Sequence, residues 1–259
     1  NPANWSNKLN PDVNDAWQAS DLGVIVLVNN GDGSHVLTST RFSWEDGDFL
    51  LKGNTQLNTT YPSFRSDGVL TLEDNSSLNV TFDFILGSNS STSTMFIDNN
   101  SRVEVARHLA LKGGSTLYQR GGKVMLTNIL DNGYLKLYDN SVYSLSAGRI
   151  DIKVKRDNIM IKDASDSTHG YINFTADSRG EIFFDNLTQE NIKDFIDAGG
   201  IRVDNASVEP DLDTYFQTKF NYNSAAKVLR LKNRVSPSVN GTTTQGELLT
   251  TVTDNITDV

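Results

Sequence analysis

The chain is 259 residues long, sets 23 Lys plus Arg against 32 Asp plus Glu, carries a net charge of −9 and has no cysteine. That balance excludes recognition of a nucleic-acid backbone and electrostatic docking on an anionic membrane, since both need clustered cations. The missing thiols exclude disulfide staples, thiolate zinc and a Cys nucleophile, and the length allows one or two domains with a substantial core.

Residues 1–20, NPANWSNKLNPDVNDAWQAS, are Asn-rich, with Trp5 and Trp17 as the only large apolar anchors. They predict an N-terminal arm or cap. The chain opens at Asn1 rather than Met, without a charged-then-apolar leader, so a processed mature form is expected. The longest apolar run, GVIVLV at 23–28, is far below the roughly 20 residues of a membrane span, so no membrane insertion is expected.

From 21 to 185 helical periodicity is lacking. Short alternating runs are instead split by polar breaks: VLTLEDNSSLNV from Val69, TMFIDNNSRVEV from Thr94, STLYQRGGKVML from Ser115 and YLKLYDNSVYSL from Tyr134. IDIKVKRDNIMI from Ile150 and YINFTADSRGEI from Tyr171 follow. Their starts lie roughly 16 to 25 residues apart, a spacing typical of solenoids. Alternation of period two buries one face of a strand, while Asn, Asp and Gly tolerate the left-handed backbone of a sharp corner. The pattern predicts an all-β fold whose body, 21–185, is a single-stranded parallel β-helix (β-solenoid). An antiparallel β-sandwich, whose strands also recur with turn signals, is the alternative.

Residues 186–233 are expected to form a C-terminal cap, because a solenoid exposes an open core at each end. One short helix is predicted in LTQENIKDFIDAGG, with Thr188 as N-cap, Ile192, Phe195 and Ile196 on one face, and Gly199-Gly200 as the stop. Strands in GIRVDNASV and AAKVLRLK complete the cap. Residues 234–259 are an extended Thr-rich tail with no aromatic residue. Leu248, Val252 and Ile256 share one face of an extended strand there, suited to strand addition on a neighbour or to packing on the chain's own body.

The DNSS and DNNS breaks between alternating strands, with the late FIDAGGIRV phrase, resemble exported bacterial β-solenoid proteins with autotransporter-associated or PEP-CTERM-type β-strand repeats. The resemblance covers about residues 60–232. It implies a surface or matrix location and a structural or adhesive role, and it brings no catalytic residues. No sorting tail of that family is visible, which leaves anchoring open.

His35, His108 and His169 are widely spaced and are expected at surface or corner positions. GRIDIK at 148–153 and THGY at 168–171 echo fragments of the polygalacturonase-like hydrolases, but the order is reversed and no Asp-Asp pair occurs. Asp139, Arg149, Asp151 and Lys153 would supply the carboxylates and base of a calcium-assisted lyase only if the fold gathers them. The oxygen-rich turns NNGDGS (29–34) and EPDLD (209–213) make calcium the one candidate ion, but they lack the full 12-residue calcium loop and read as solvated turns, so no cofactor is expected. Asn-x-Ser/Thr occurs at Asn4, Asn58, Asn75, Asn79, Asn89, Asn99, Asn173, Asn186, Asn205, Asn240 and Asn255, making these candidate N-glycosylation sites.

The sequence therefore points to a non-enzymatic extracellular or cell-surface subunit that joins copies of itself into a fibre or surface layer. Trp5, Trp17, Leu248, Val252 and Ile256 are its candidate assembly contacts. The alternative is a glycan-binding or polysaccharide-cleaving β-helix, either a lyase or a glycoside hydrolase. It would use Tyr134, Tyr138, Tyr143 and Tyr171 beside carboxylates.

Overall fold

A computed structural model describes residues 16–19, 24–29, 35–44, 47–64, 67–127, 134–153, 159–160, 169–232, 238–239 and 252–253. The body is a parallel β-solenoid with three faces, so the antiparallel sandwich is excluded. The first face stacks β2 (Val24–Asn29), β4 (Asp48–Gly53), β6 (Val69–Leu72), β9 (Thr94–Ile97) and the starts of β12 (Thr116–Leu126) and β14 (Val142–Ile152). β16 (Tyr171–Phe174) and β18 (Ile201–Val203) end it.

The second face holds the starts of β3 (His35–Trp44) and β5 (Thr55–Phe64), then β7 (Ser77–Val80) and β10 (Arg102–Val105). The ends of β12 and β14 and then β17 (Glu181–Phe184) continue it. The third face runs β1 (Ala16–Ala19), the ends of β3 and β5, β8 (Asp83–Leu86), β11 (His108–Leu111), β13 (Tyr134–Leu137) and β15 (Ile159–Met160). The segment expected to be an arm or cap contributes β1, which pairs with the end of β3 and sets Trp17 opposite Phe42.

Alternation fills the interior. Leu70, Met95, Leu117, Tyr143 and Ile172 stack inward from the first face, and Leu57, Leu78, Val103, Val124, Ile150 and Ile182 from the second. Phe84, Leu109 and Leu135 fill the third. One polar pair sits among them: the Tyr143 hydroxyl donates to Gln119 Oε1 at 2.7 Å, and Gln119 Nε2 donates to the carbonyls of Gly122 and Arg149. Burial without an anionic partner raises the Tyr143 pKa, so this phenol stays neutral and the pair is fully satisfied.

The corners explain the recurring Asp-Asn-Ser phrase. Asp74 and Asn75 take φ of 51° and 67°, Asp139 and Asn140 take 52° and 59°, and a buried serine follows each pair. The two phrases nevertheless lie at different corners. Asp74-Asn75-Ser76 joins the first face to the second, whereas Asp139-Asn140-Ser141 joins the third to the first. A full coil runs from Asp48 to Val69, from Val69 to Thr94 and from Val142 to Tyr171, so the repeat is real but its phase differs from the one the phrase suggests.

At the C-terminal end the expected helix is present as α1 (Gln189–Asp197). Thr188 caps it by accepting from Asn191 N, the Asn191 side chain reciprocates, and Ile192 and Ile196 are buried. The expectation of a single helix is corrected by α2 (Leu212–Lys219), which buries Tyr215 and Phe216. Those rings and Phe174 gather around Phe220, which opens β19 (Phe220–Asn223). β19 pairs antiparallel with β20 (Val228–Leu231), and β20 runs antiparallel on β17, which closes the parallel ladder of the second face. In the tail, β21 (Ser238–Val239) pairs antiparallel with β22 (Val252–Thr253), so Val252 lies opposite Val239. No helix among the described residues is long and apolar enough to cross a membrane.

Candidate functional site

The assembly candidates Trp5, Leu248 and Ile256 lie outside the described residues, as do the sequons at Asn4, Asn240 and Asn255. Of the remaining sequons, Asn75, Asn89, Asn99, Asn186 and Asn205 are exposed in turns. Asn58 and Asn79 form an amide ladder on the second face, with Asn79 Nδ2 donating to Asn58 Oδ1 at 3.0 Å. Asn173 is only 3 % exposed and accepts from the Asn205 backbone at 2.7 Å, so a sugar there would displace packed structure.

The fold separates the residues a lyase would need together. Asp139 sits at the third-to-first corner, where it accepts from Gly113 N at 3.1 Å. Arg149 and Asp151 lie on the second face in a ladder between coils. Asp151, 4 % exposed, is held by Lys123 at 2.6 Å and by Arg149. Arg149 also lies 4.9 Å from the Phe183 ring centroid and 4.0 Å from Glu181, which pairs with Arg230 at 2.7 Å. These charges tie β12, β14, β17 and β20 together. Similar pairs join neighbouring coils elsewhere: Lys52 with Glu73 at 3.2 Å, and Arg120 with Asp98 at 2.6 Å.

The acidic turn EPDLD is a helix start. Asp211 accepts from both the side chain and the backbone of Thr214, and those bonds hold its carboxyl below the usual range. No group of three or more His, Asp or Glu placed to hold a metal occurs among the described residues. The four tyrosines divide. Tyr143 is in the core, which corrects its expected place on a ligand face. Tyr171 lies on the first face under the Arg202 guanidinium at 4.0 Å, and only Tyr134 and Tyr138 belong to the third face and its edge.

The third face carries an outward cluster of aromatic and charged side chains. The Arg107 guanidinium lies 3.6 Å from the Phe82 ring centroid and donates twice to Asp83, at 2.7 and 2.6 Å. Tyr61 meets Phe82 edge-on at 4.9 Å between centroids. His108 stands opposite both Asp83 and Tyr134 in the ladder, with Nε2 4.0 Å from Asp83 Oδ1 and its ring 5.0 Å from that of Tyr134. Burial lowers the His108 pKa to about 4. Asp83 opposes that shift, and Lys136 and Arg107 reinforce it, so the imidazole is neutral at pH 7. Its Nδ1 is buried without a hydrogen-bond partner.

Sequence reasoning gave Tyr134 a ligand role but missed Tyr61, Phe82, Asp83 and Arg107, and it set His108 aside. The group comes from separate coils, and no local motif marks it. No protein-family model matches the chain, and no characterised protein or solved structure is significantly similar to it.

Proposed function

We propose that the chain is a structural subunit of an extracellular fibre or surface layer, a rod that joins copies of itself through its terminal segments. The observation that supports this reading is the difference between the two ends. At the C-terminal end α1, α2 and the antiparallel β19–β20 pair cover the core, and the last first-face strand, β18, is three residues long. At the other end β2 has six residues, VIVLVN, and among the described residues it pairs only with β4, as β1 pairs only with β3.

A long apolar strand edge is a template for another strand. The tail offers an occupant, since β21–β22 engages only two residue pairs and little is lost by opening it. Coil-to-coil ion pairs and amide ladders suit a stiff rod. Exposed corners would carry sugars, first at Asn75, Asn89, Asn99, Asn186 and Asn205.

Electron microscopy of the full chain and of a chain lacking residues 234–259 tests the proposal. Filaments from the first and dispersed, folded rods from the second are expected. Dispersed rods from both would overturn self-assembly, and filaments from both would overturn the role of the tail.

A further inference from the structure

We propose that the outward strip of the third face formed by Tyr61, Phe82, Asp83, Arg107, His108 and Tyr134 binds a linear, uncharged glycan laid along the rod axis. The first argument is spacing. His108 is in register with Asp83 on one side and Tyr134 on the other, and Tyr61 lies two residues ahead of the Ser63–Ile85 pair. Each coil thus presents one member of the row, at the roughly 4.8 Å separation of stacked strands. A sugar ring with its glycosidic oxygen is close to one coil long, so successive sugars meet successive coils. A bound polypeptide, rising about 3.3 Å per residue and alternating its faces, falls out of step with such a row.

The second argument is chemistry. Tyr61 is 40 % exposed and leans on Phe82, giving an apolar platform of the kind on which ring faces settle. Asp83 and Arg107 neutralise each other through two hydrogen bonds, and the imidazole beside them is uncharged. The strip therefore offers hydrogen-bonding groups with their charges paired over its middle coils, and a single positive charge at its last coil, where Lys136 Nζ lies 4.8 Å from the Tyr134 ring centroid. His108 Nε2 and Asp83 Oδ1 are 4.0 Å apart, too far to bond directly, and a hydroxyl placed between them has a partner on each side. An apolar ring platform beside a hydroxyl-sized gap is the chemistry that a saccharide matches. This site does not depend on assembly: it lies on the side of the rod, away from both ends.

The test is binding of the full chain to an array of linear oligosaccharides one to six sugars long, neutral and uronic-acid-containing, with folding of every variant checked by circular dichroism. Neutral chains are expected to bind, more tightly with each sugar up to about four and equally at low and high salt. Tyr61→Ala and Tyr134→Ala should each weaken binding about tenfold, the size of one lost ring contact. Tyr118→Ala, which removes an exposed ring from the first face, should leave it unchanged. The proposal is overturned if the folded chain retains no oligosaccharide, if the strip variants bind like the parent, or if only acidic chains bind with steep salt dependence.

Discussion

At Gly122 and Gly114 the same residue type answers two different demands. Both take positive φ, 61° and 72°. A Cβ on Gly122 would overlap the Ser101 carbonyl of the coil below, whereas one on Gly114 meets nothing nearer than 3.6 Å. Gly114→Ala should therefore cost about 1 kcal/mol, the left-handed penalty alone. Gly122→Ala should cost more than about 2 kcal/mol, because a neighbouring backbone must also move. Urea midpoints of the two variants check the difference.

His108 gives the residue scale a pH dependence. Its folded pKa of about 4 lies below the 6.5 of a free imidazole, so the unfolded chain takes up the proton first. The stabilisation from keeping it neutral is complete above pH 6.5 and is lost as pH falls towards 4, at most about 3 kcal/mol. Asp83, Arg107, Lys136 and Tyr134 face the ring and are common to parent and variant. His108→Gln should flatten the fall in urea midpoint between pH 6.5 and 4; equal slopes in the two proteins would show that the ring is not held neutral.

Among the elements, α1 is the one whose sequence and structure agree most closely. Thr188 closes a reciprocal cap with Asn191, and Thr188→Ala should lower stability by about 1 kcal/mol, read from the thermal midpoint. The helix was legible because Ile192, Phe195 and Ile196 fall at helical spacing behind a cap residue. α2 was not, because its buried residues, Tyr215 and Phe216, are adjacent and leave no stripe, and its cap residue Asp211 reads as part of an acidic turn. Strand alternation was equally legible, since it reports burial directly.

The phase of the coil was not legible, for a physical reason: any sharp corner accepts a left-handed pair followed by a small buried serine. Asp74-Asn75-Ser76 and Asp139-Asn140-Ser141 are the same local solution at two corners. β12 and β14 add to the ambiguity by running through a corner as single strands, with Gly122 and Gly148 at positive φ. The third-face strip was out of reach because Tyr61, Asp83, His108 and Tyr134 meet only once that phase is known.

At the scale of the whole molecule, each coil touches only the coils above and below, so stability is a sum of nearest-neighbour terms and the ends decide where opening begins. The C-terminal cap rests on Ile196, fully buried against the last coil. Ile196→Ala leaves a cavity there and should cost about 2 to 5 kcal/mol of local stability. The loss should spread unevenly. Amides of β16 and β17 should lose hydrogen-exchange protection first, those of β14 next, and those of β6 and β7 least, because each coil that opens uncovers only its neighbour. Coils joined by buried charge, such as the Lys123–Asp151–Arg149 link between β12 and β14, should resist that spread, since opening them strands a carboxylate that is 4 % exposed. A graded loss that halts at β12 would describe a rod that frays from its cap and is clamped midway. Equal loss at every strand would instead make the solenoid one cooperative unit, in which the cap stabilises the first coil as much as the last.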